Sequence, residues 1–392
     1  MKAGALGMST NLLDHDSKDR PVPSLVADDA ELGALMDVLA RYPNTTLQVI
    51  VDYFMRFTGA QSSERIANLA KGRKVRIQIA GTVPTLEFQS FAIPDALKAH
   101  EDRKAAGLDI WAGYHHLSAT ITISFISSLG FAQSNNYVWH EIISAKTEEE
   151  KFALLSDPDW RTRARESWDQ TIPQSPLGDP TQIELFDTET GVGPVGIYLS
   201  DYMKSIGKDH ASDALAEWLL ANGSGANLRL KDWPNHNEAL TKLLLDPMSV
   251  GNTSDSGAHG KMFCGVGDNV LLLTKYVRDD KQLTIEQAVH ILTGKQSNFF
   301  GLHDRGTLEV GKVADITVFN LDEIERRAET KAYDVPDGEG GRTFRYTRAP
   351  APMRLTMVNG VPTFDRGAFT GHFPGQFIGP VGLRKDSLEK AA

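Results

Sequence analysis

The sequence predicts an α/β fold in which a parallel layer or barrel is followed by a separate all-β unit. Three observations carry that expectation. Short β-branched runs alternate with helix-compatible segments over the first part of the chain. A strand-like run, Met248-Ser249-Val250-Gly251-Asn252-Thr253, ends in the small and polar segment Ser254-Asp255-Ser256-Gly257-Ala258-His259. Beyond residue 305, glycine-punctuated strands and an Asn-Gly turn replace the helices. At 392 residues and 41% hydrophobic content the chain can bury one large barrel-like core or two smaller ones, and a disordered or fibrous polymer is excluded.

Taken in order, Ala5-Leu6-Gly7-Met8-Ser9-Thr10 reads as a first strand. A helix over Asp28 to Tyr42 follows, with Asp28 or Asp29 near its cap, because a carboxylate there accepts the open amide hydrogens of the first turn. Leu47-Gln48-Val49-Ile50-Val51-Asp52 and Lys74-Val75-Arg76-Ile77-Gln78-Ile79-Ala80 are the next strands, separated by a polar helical segment around Ser62 to Gly72. Pro94 to Gly107 is a helix that ends at a glycine, and Leu108-Asp109-Ile110-Trp111-Ala112 is the strand after it. Strands spaced by helices in this way pair in parallel through right-handed crossovers.

From Ser118 to Asp201 the pattern loosens into a serine-rich apolar patch (Ile121 to Leu129), a charged helical stretch (Thr147 to Gln170) and a loop rich in Pro, Gly and Thr. An elaborated connection over one end of the barrel and a small inserted subdomain both fit. Ser212 to Asn222, with Leu215, Trp218, Leu219 and Leu220 on its buried side, and His236 to Leu245 are helices that lead into the Val250 strand. Asp268 to Arg278 and Thr284 to Gly294 are helices; Thr284 caps the second, with Glu286 or Gln287 as its partner and Gly294 as its stop. Gly306 to Asn320 alternates turns and strands, and Met353 to Phe364 is a hairpin that turns at Asn359-Gly360.

Composition narrows the function. A net charge of -10 argues against a nucleic-acid partner, since phosphate binding needs a basic footprint. No stretch approaches the roughly 18 to 20 apolar residues of a membrane span. Met1 to Gly7 lacks an apolar core of signal-peptide length, and the lone Cys264 excludes an internal disulfide, so the cytoplasm is the expected compartment. Cys264 itself fits a buried small hydrophobe better than a nucleophile. Gly265-x-Gly267 is too short for a phosphate loop.

The chemistry-bearing candidates are few. Asp255 lies between small residues just past a strand and four positions before His259, a pattern that suits a site and also suits a turn or capping carboxylate. His259 reads as a substrate contact or as a capping or surface histidine. His115 and His116 follow Tyr114 at a strand end, and adjacent strand residues face opposite ways, so at most one of the two faces a barrel interior. Asp52 closes another strand, as a ligand or as a cap for the next helix. Tyr114 and Lys261 are candidate substrate contacts.

One ordered series of motifs carries a resemblance. Ser254 to His259 is followed by Tyr276-Val277-Arg278, Leu283-Thr284-Ile285-Glu286-Gln287-Ala288-Val289, Leu292-Thr293, and Gly301-Leu302-His303-Asp304-Arg305-Gly306. Gly311-Lys312-Val313-Ala314-Asp315-Ile316, Val358-Asn359-Gly360, Thr370-Gly371 and Pro374-Gly375 complete it. The series resembles the C-terminal half of the amidohydrolase superfamily, in the D-aminoacylase (N-acyl-D-amino-acid deacylase) branch. Ala3 to Thr10, with Arg20-Pro21-Val22-Pro23-Ser24, resembles an internal segment of the same family, and between Thr45 and Asn252 the likeness is looser.

The resemblance implies a TIM-like (β/α)8 metallo-hydrolase barrel with a small β-sandwich portion. It implies a divalent metal, zinc in most such enzymes, that activates water against a linear amide, with Asp255 as the proton shuttle. Asp255 is the residue that matches the family's motif; His115, His116 and Asp52 are further candidate metal ligands by their strand-end positions, and His259, Tyr114 and Lys261 are candidate contacts for the substrate, an N-acyl amino acid or related amide. The family's His-x-His pair and its bridging cysteine or carboxylated lysine would precede Ala3, so an incomplete barrel with unpaired sheet edges, poorly soluble or assembled as a homo-oligomer, is expected. The expected division is a barrel portion over 1–304 with an elaborated loop region at about 118–205, a β-sandwich portion over 305–384 and a tail over 385–392. A second expectation is a catalytically impaired remnant, kept as a binding or assembly module or read from an incomplete gene; counting three or four metal ligands would discriminate the two.

Overall fold

The computed structural model describes the chain apart from residues 2, 17–19, 43, 52–58, 83–91, 115–119, 126–137, 171–177, 189, 231–236, 253, 255, 257–259, 339 and 379–392. Strands β1 (Gly7–Leu12), β2 (Thr46–Val51), β3 (Arg76–Thr82) and β4 (Ile110–Tyr114) lie side by side, each parallel to its neighbour, as the alternation of strand and helix predicts. Helices Asp29–Leu39, Gly59–Ala70 and Ala92–Ala105 make the crossovers. Asp28 caps the first of them and accepts a hydrogen bond from the amide of Glu31 at 2.8 Å. Leu47, Val49 and Val51 alternate along β2 into a core with Met36, Ile66, Ile77 and Ile79, while Gln48 on the opposite face is exposed.

After β4 the chain leaves this sheet and builds a second body. Strands β5 (Thr122–Ser124), β6 (Ile183–Asp187), β7 (Ile197–Tyr198) and β8 (Asn227–Leu230) form a four-stranded antiparallel sheet in the order β5-β8-β6-β7. Helices Val138–Ser144, Glu148–Ser156, Pro158–Asp169, Leu199–Ser205 and Ala211–Asn222 cover it. Its core is its own: Trp139, fully buried, meets Trp160 and Trp168 edge-on at centroid distances of 5.2 and 6.3 Å, with Leu215, Trp218 and Leu219 beside them. Edge-to-face rings add about 0.5–1.5 kcal/mol per pair to the area they bury. The buried residues of this core run from Ile123 to Leu230.

The chain returns through helix Asn237–Leu245 to strand β9 (Ser249–Asn252), which pairs in parallel with β4. Among the described residues the parallel sheet is therefore five strands wide, in the order β1-β2-β3-β4-β9, with β1 and β9 at its edges. Past β9, Leu272–Asp279 winds as a π-helix where an α-helix was expected. Thr284 closes a capping box with Gln287 rather than Glu286. Gly294 stops one helix as expected and at once begins another, Gly294–Phe299.

The C-terminal part is all β. Strand β10 (Ile316–Val318) precedes a long hairpin of β11 (Glu329–Pro336) and β12 (Arg342–Arg348), which the sequence reading missed. Strands β13 (Leu355–Val358), β14 (Val361–Asp365) and β15 (Ala368–Phe369) join β10 in a second antiparallel sheet. Asn359 and Gly360 both take positive φ, 51° and 75°, as the turn between β13 and β14 requires.

One clamp sets where β9 begins. Asp246, in the turn before β9, accepts from Lys104 Nζ at 2.6 Å and from the Met248 amide at 2.8 Å, and pairs with Nε2 of the buried His100 at 2.9 Å. Burial pushes this carboxyl upward, but the hydrogen bonds from Lys104, His100 and the Met248 amide outweigh burial and hold it below its ordinary value. A lowered carboxyl stabilises the fold above the unfolded carboxylate range and loses that contribution as pH falls through its folded value. Asp246→Asn is expected to cost about 2–4 kcal/mol near neutral pH, because it leaves Lys104 partly buried without its carboxylate. Urea unfolding should show that gap narrowing below about pH 4, where the wild-type carboxyl takes up its proton.

Candidate active site

Several of the candidate residues follow, in sequence, the C-terminal ends of the parallel strands. Tyr114 is the last residue of β4, and its backbone stands in register with Thr82 of β3 and Asn252 of β9. Val51 ends β2. Asp52, His115 and His116, the next residues in sequence, lie outside the described residues, as do Asp255 and His259. Lys261 is exposed, with Nζ 5.9 Å from the centroid of the Phe344 ring on β12. Among the described residues no group of three or more His, Cys, Asp and Glu side chains could hold a metal ion.

Strand β9 is fastened from several sides, which fixes the starting point of Ser254 to His259. Gln296 Nε2 donates to the carbonyl of Val250, and Lys295 Nζ donates to the carbonyls of Leu244 and Asp246 at 2.5 and 2.8 Å. Burial drives the Lys295 ammonium down to about 8, with Asp246 pulling it back. Val250 packs with Trp111 and Phe299, whose rings meet at 5.2 Å. Gly251 takes φ +83° opposite Gly113, where the register with β4 shifts, and a Cβ there would fall 2.7 Å from Ile291 Cγ2.

The stretch after the candidate aspartate is held on both flanks. Gly260 offers its carbonyl to the Tyr346 amide of β12 at 2.6 Å, and Met262 offers its own to the Thr122 amide of β5 at 2.7 Å. Arg348, whose side chain is only 8% exposed, donates from Nη1 to the carbonyls of Cys264 at 2.6 Å and Val266 at 2.9 Å and to Asp268 at 3.2 Å. Arg326 meets Asp268 from another side at 2.6 Å. Cys264 is buried, and burial raises its thiol pKa, which keeps it protonated and agrees with the small-hydrophobe reading. The hairpin β11–β12 also grips the inserted subdomain, through Lys331 with Asp187 at 2.8 Å and Glu329 with Arg229 at 3.6 Å. Sequence reasoning did not find Arg348, Arg326 or this hairpin; the alternation of Arg342 to Arg348 and the Asp337-Gly338 step before it were the signals that could have found it.

A parallel sheet with helical crossovers, followed by a β-rich part, makes a barrel-like α/β fold. Residues 209–364 match the amidohydrolase family. Dihydroorotase of Lactobacillus acidophilus is 40% identical over 97 residues, 24% of this chain and 22% of that protein. N-acyl-D-glutamate deacylase of Alcaligenes xylosoxydans is 34% identical over 130 residues, 33% of this chain and 23% of that protein. Among solved structures, D-aminoacylase superposes with a TM-score of 0.53 at 16% identity, over 94% of this chain and 62% of its own. N-acyl-D-glutamate deacylase of Bordetella bronchiseptica, solved with zinc and a phosphonate inhibitor, gives 0.52 at 17% identity, over 92% and 60%. The matches thus span less than a quarter of each of these two curated relatives and about three fifths of each solved neighbour. Together they show a likeness to the amidohydrolase family over residues 209–364 and, in fold, to D-aminoacylase and N-acyl-D-glutamate deacylase.

Gly251→Ala tests how tightly the end of β9 is set. The variant is expected to lose about 1–3 kcal/mol, since a side chain at positive φ and against Ile291 is strained in both respects. Thermal melting of the two proteins side by side measures the loss, and an unchanged midpoint would show that β9 can shift freely.

Proposed function

We propose that this chain hydrolyses linear amide C–N bonds with the help of a divalent metal, zinc by family likeness, and that its substrates are N-acyl-D-amino acids. The supporting observation is one of topology: β2, β4 and β9 run parallel in one sheet, and Asp52, His115 with His116, and Asp255 follow their ends in sequence. Active sites of parallel α/β barrels form at those strand ends. Two carboxylates and whichever one of the two imidazoles faces inward are donors that a borderline ion such as zinc accepts. Adjacent parallel strands are spaced about 4.8 Å apart, so residues just past β4 and β9 begin within side-chain reach of one another.

Bound there, the metal would supply Lewis acidity, lowering the pKa of water and polarising the amide carbonyl. Asp255 is the proton shuttle of this reading: it takes a proton from the attacking water and delivers it to the nitrogen of the leaving amine. His259, Tyr114 and Lys261 are assigned to the substrate, Lys261 as the cation for a carboxylate. The proposed division keeps 1–304 as the barrel portion, with the inserted subdomain inside it, 305–384 as the β-rich portion and 385–392 as a tail. A cytoplasmic homo-oligomer that covers the sheet edges completes the proposal. No helix among the described residues is long and apolar enough to cross a membrane.

The test is metal analysis of the purified protein with turnover on a panel of N-acetyl-D-amino acids. Stoichiometric metal is expected, and Asp255→Asn is expected to lower kcat about 10²–10⁴-fold, the usual contribution of a positioned acid-base group. Substoichiometric metal together with no Asp255-dependent turnover would sink the hydrolase reading and leave that of a binding module.

A further inference from the structure

Gly265 has a packing role that its neighbours explain. A Cβ built on it would overlap the carbonyl oxygen of Ser254 and lie 3.0 Å from Ser256 Cα and 3.1 Å from Ser256 Cβ. The residues on either side of Asp255 therefore rest directly on the bare backbone of residue 265, an approach that only glycine permits. The carbonyls flanking that glycine, those of Cys264 and Val266, are the two that Arg348 Nη1 holds. Arg348 sits at the end of β12 with Asp268 at 3.2 Å and Glu329 at 3.4 Å, so its guanidinium is oriented by carboxylates on two other segments. A guanidinium that is charged, planar and nearly buried fixes backbone groups far more tightly than a solvated lysine would.

We propose that Gly265 and Arg348 are positioning residues for the aspartate segment: Arg348 clamps the backbone on both sides of Gly265, and Gly265 serves as the floor on which Ser254 and Ser256, the sequence neighbours of Asp255, are set. This rests on Asp255 being the proton shuttle. A proton donor displaced by about 1 Å can lose on the order of 10² in rate, while substrate affinity depends on other contacts. The hairpin that carries Arg348 is thus part of the machinery although it belongs to the C-terminal β-rich part of the chain.

The experiment compares wild type with Arg348→Met, Arg348→Lys and Gly265→Ala, using turnover of N-acetyl-D-glutamate and hydrogen–deuterium exchange over residues 253–268. Arg348→Met is expected to lower kcat at least about tenfold with KM within about twofold, to speed exchange in that segment, and to leave exchange in β1 to β4 unchanged. Arg348→Lys should recover part of both effects, and Gly265→Ala should reproduce the loss of kcat with Arg348 intact. A variant that fails to fold is set aside by its exchange in β1 to β4, and the others decide. Unchanged exchange in 253–268 for Arg348→Met overturns the clamp, and faster exchange with unchanged kcat overturns its link to the reaction. Absence of turnover in wild type would count against the hydrolase reading alone, since the exchange measurement still judges the clamp.

Discussion

The carboxylate of Asp246 is the constraint on which the site depends. It takes hydrogen bonds from a crossover helix through Lys104, pairs with His100 on the same helix, and caps its own turn through the Met248 amide. Lys295 adds a third element by binding the carbonyls of Leu244 and Asp246. An ion cluster of this kind stabilises little in net terms once desolvation is subtracted. Its effect is positional: β9 can begin only where these groups meet, and everything from Ser249 to Asp268 is counted from that point.

Two fixed ends then bracket the aspartate segment. Upstream, Gln296, Ile291 and the Trp111–Phe299 pair hold β9. Downstream, Thr122 of the inserted subdomain and Tyr346 and Arg348 of the hairpin take up backbone carbonyls one after another from Gly260 to Val266. The short segment between them is tied to the parallel sheet, to the insert and to the C-terminal β-rich part.

The sequence made the parallel part legible because β2 and β3 are rich in β-branched residues and the helices between strands carry stops or caps. Asp28 and Thr284 act as caps as read, and Asn359-Gly360 turns as its composition demands. The insert was harder, since Ile121 to Phe125 and Ile183 to Asp187 are short strands whose partners lie far away in sequence, and pairing of that kind leaves no local period. The hairpin β11–β12 was missed for another reason: β11 is largely exposed and β12 mostly half-buried, so neither carries an apolar face that marks a strand. At the site, the motif around Asp255 was legible by resemblance. The roles of Gly265 and Arg348 were not, because a close backbone approach and a guanidinium on two carbonyls exist only once the chain is folded.

The inserted subdomain has one further property. Its first strand, β5, and its last, β8, are antiparallel neighbours, with Thr122 opposite Arg229, so the excursion leaves and rejoins the parent sheet at adjacent points. To the rest of the molecule it is a closed ornament rather than a long tether. Once its tryptophan core has formed, β4 and β9 are joined by something with the reach of a short link, and the entropy of closing a long loop no longer opposes their pairing. The insert thereby acts as a splint that brings β9 alongside β4.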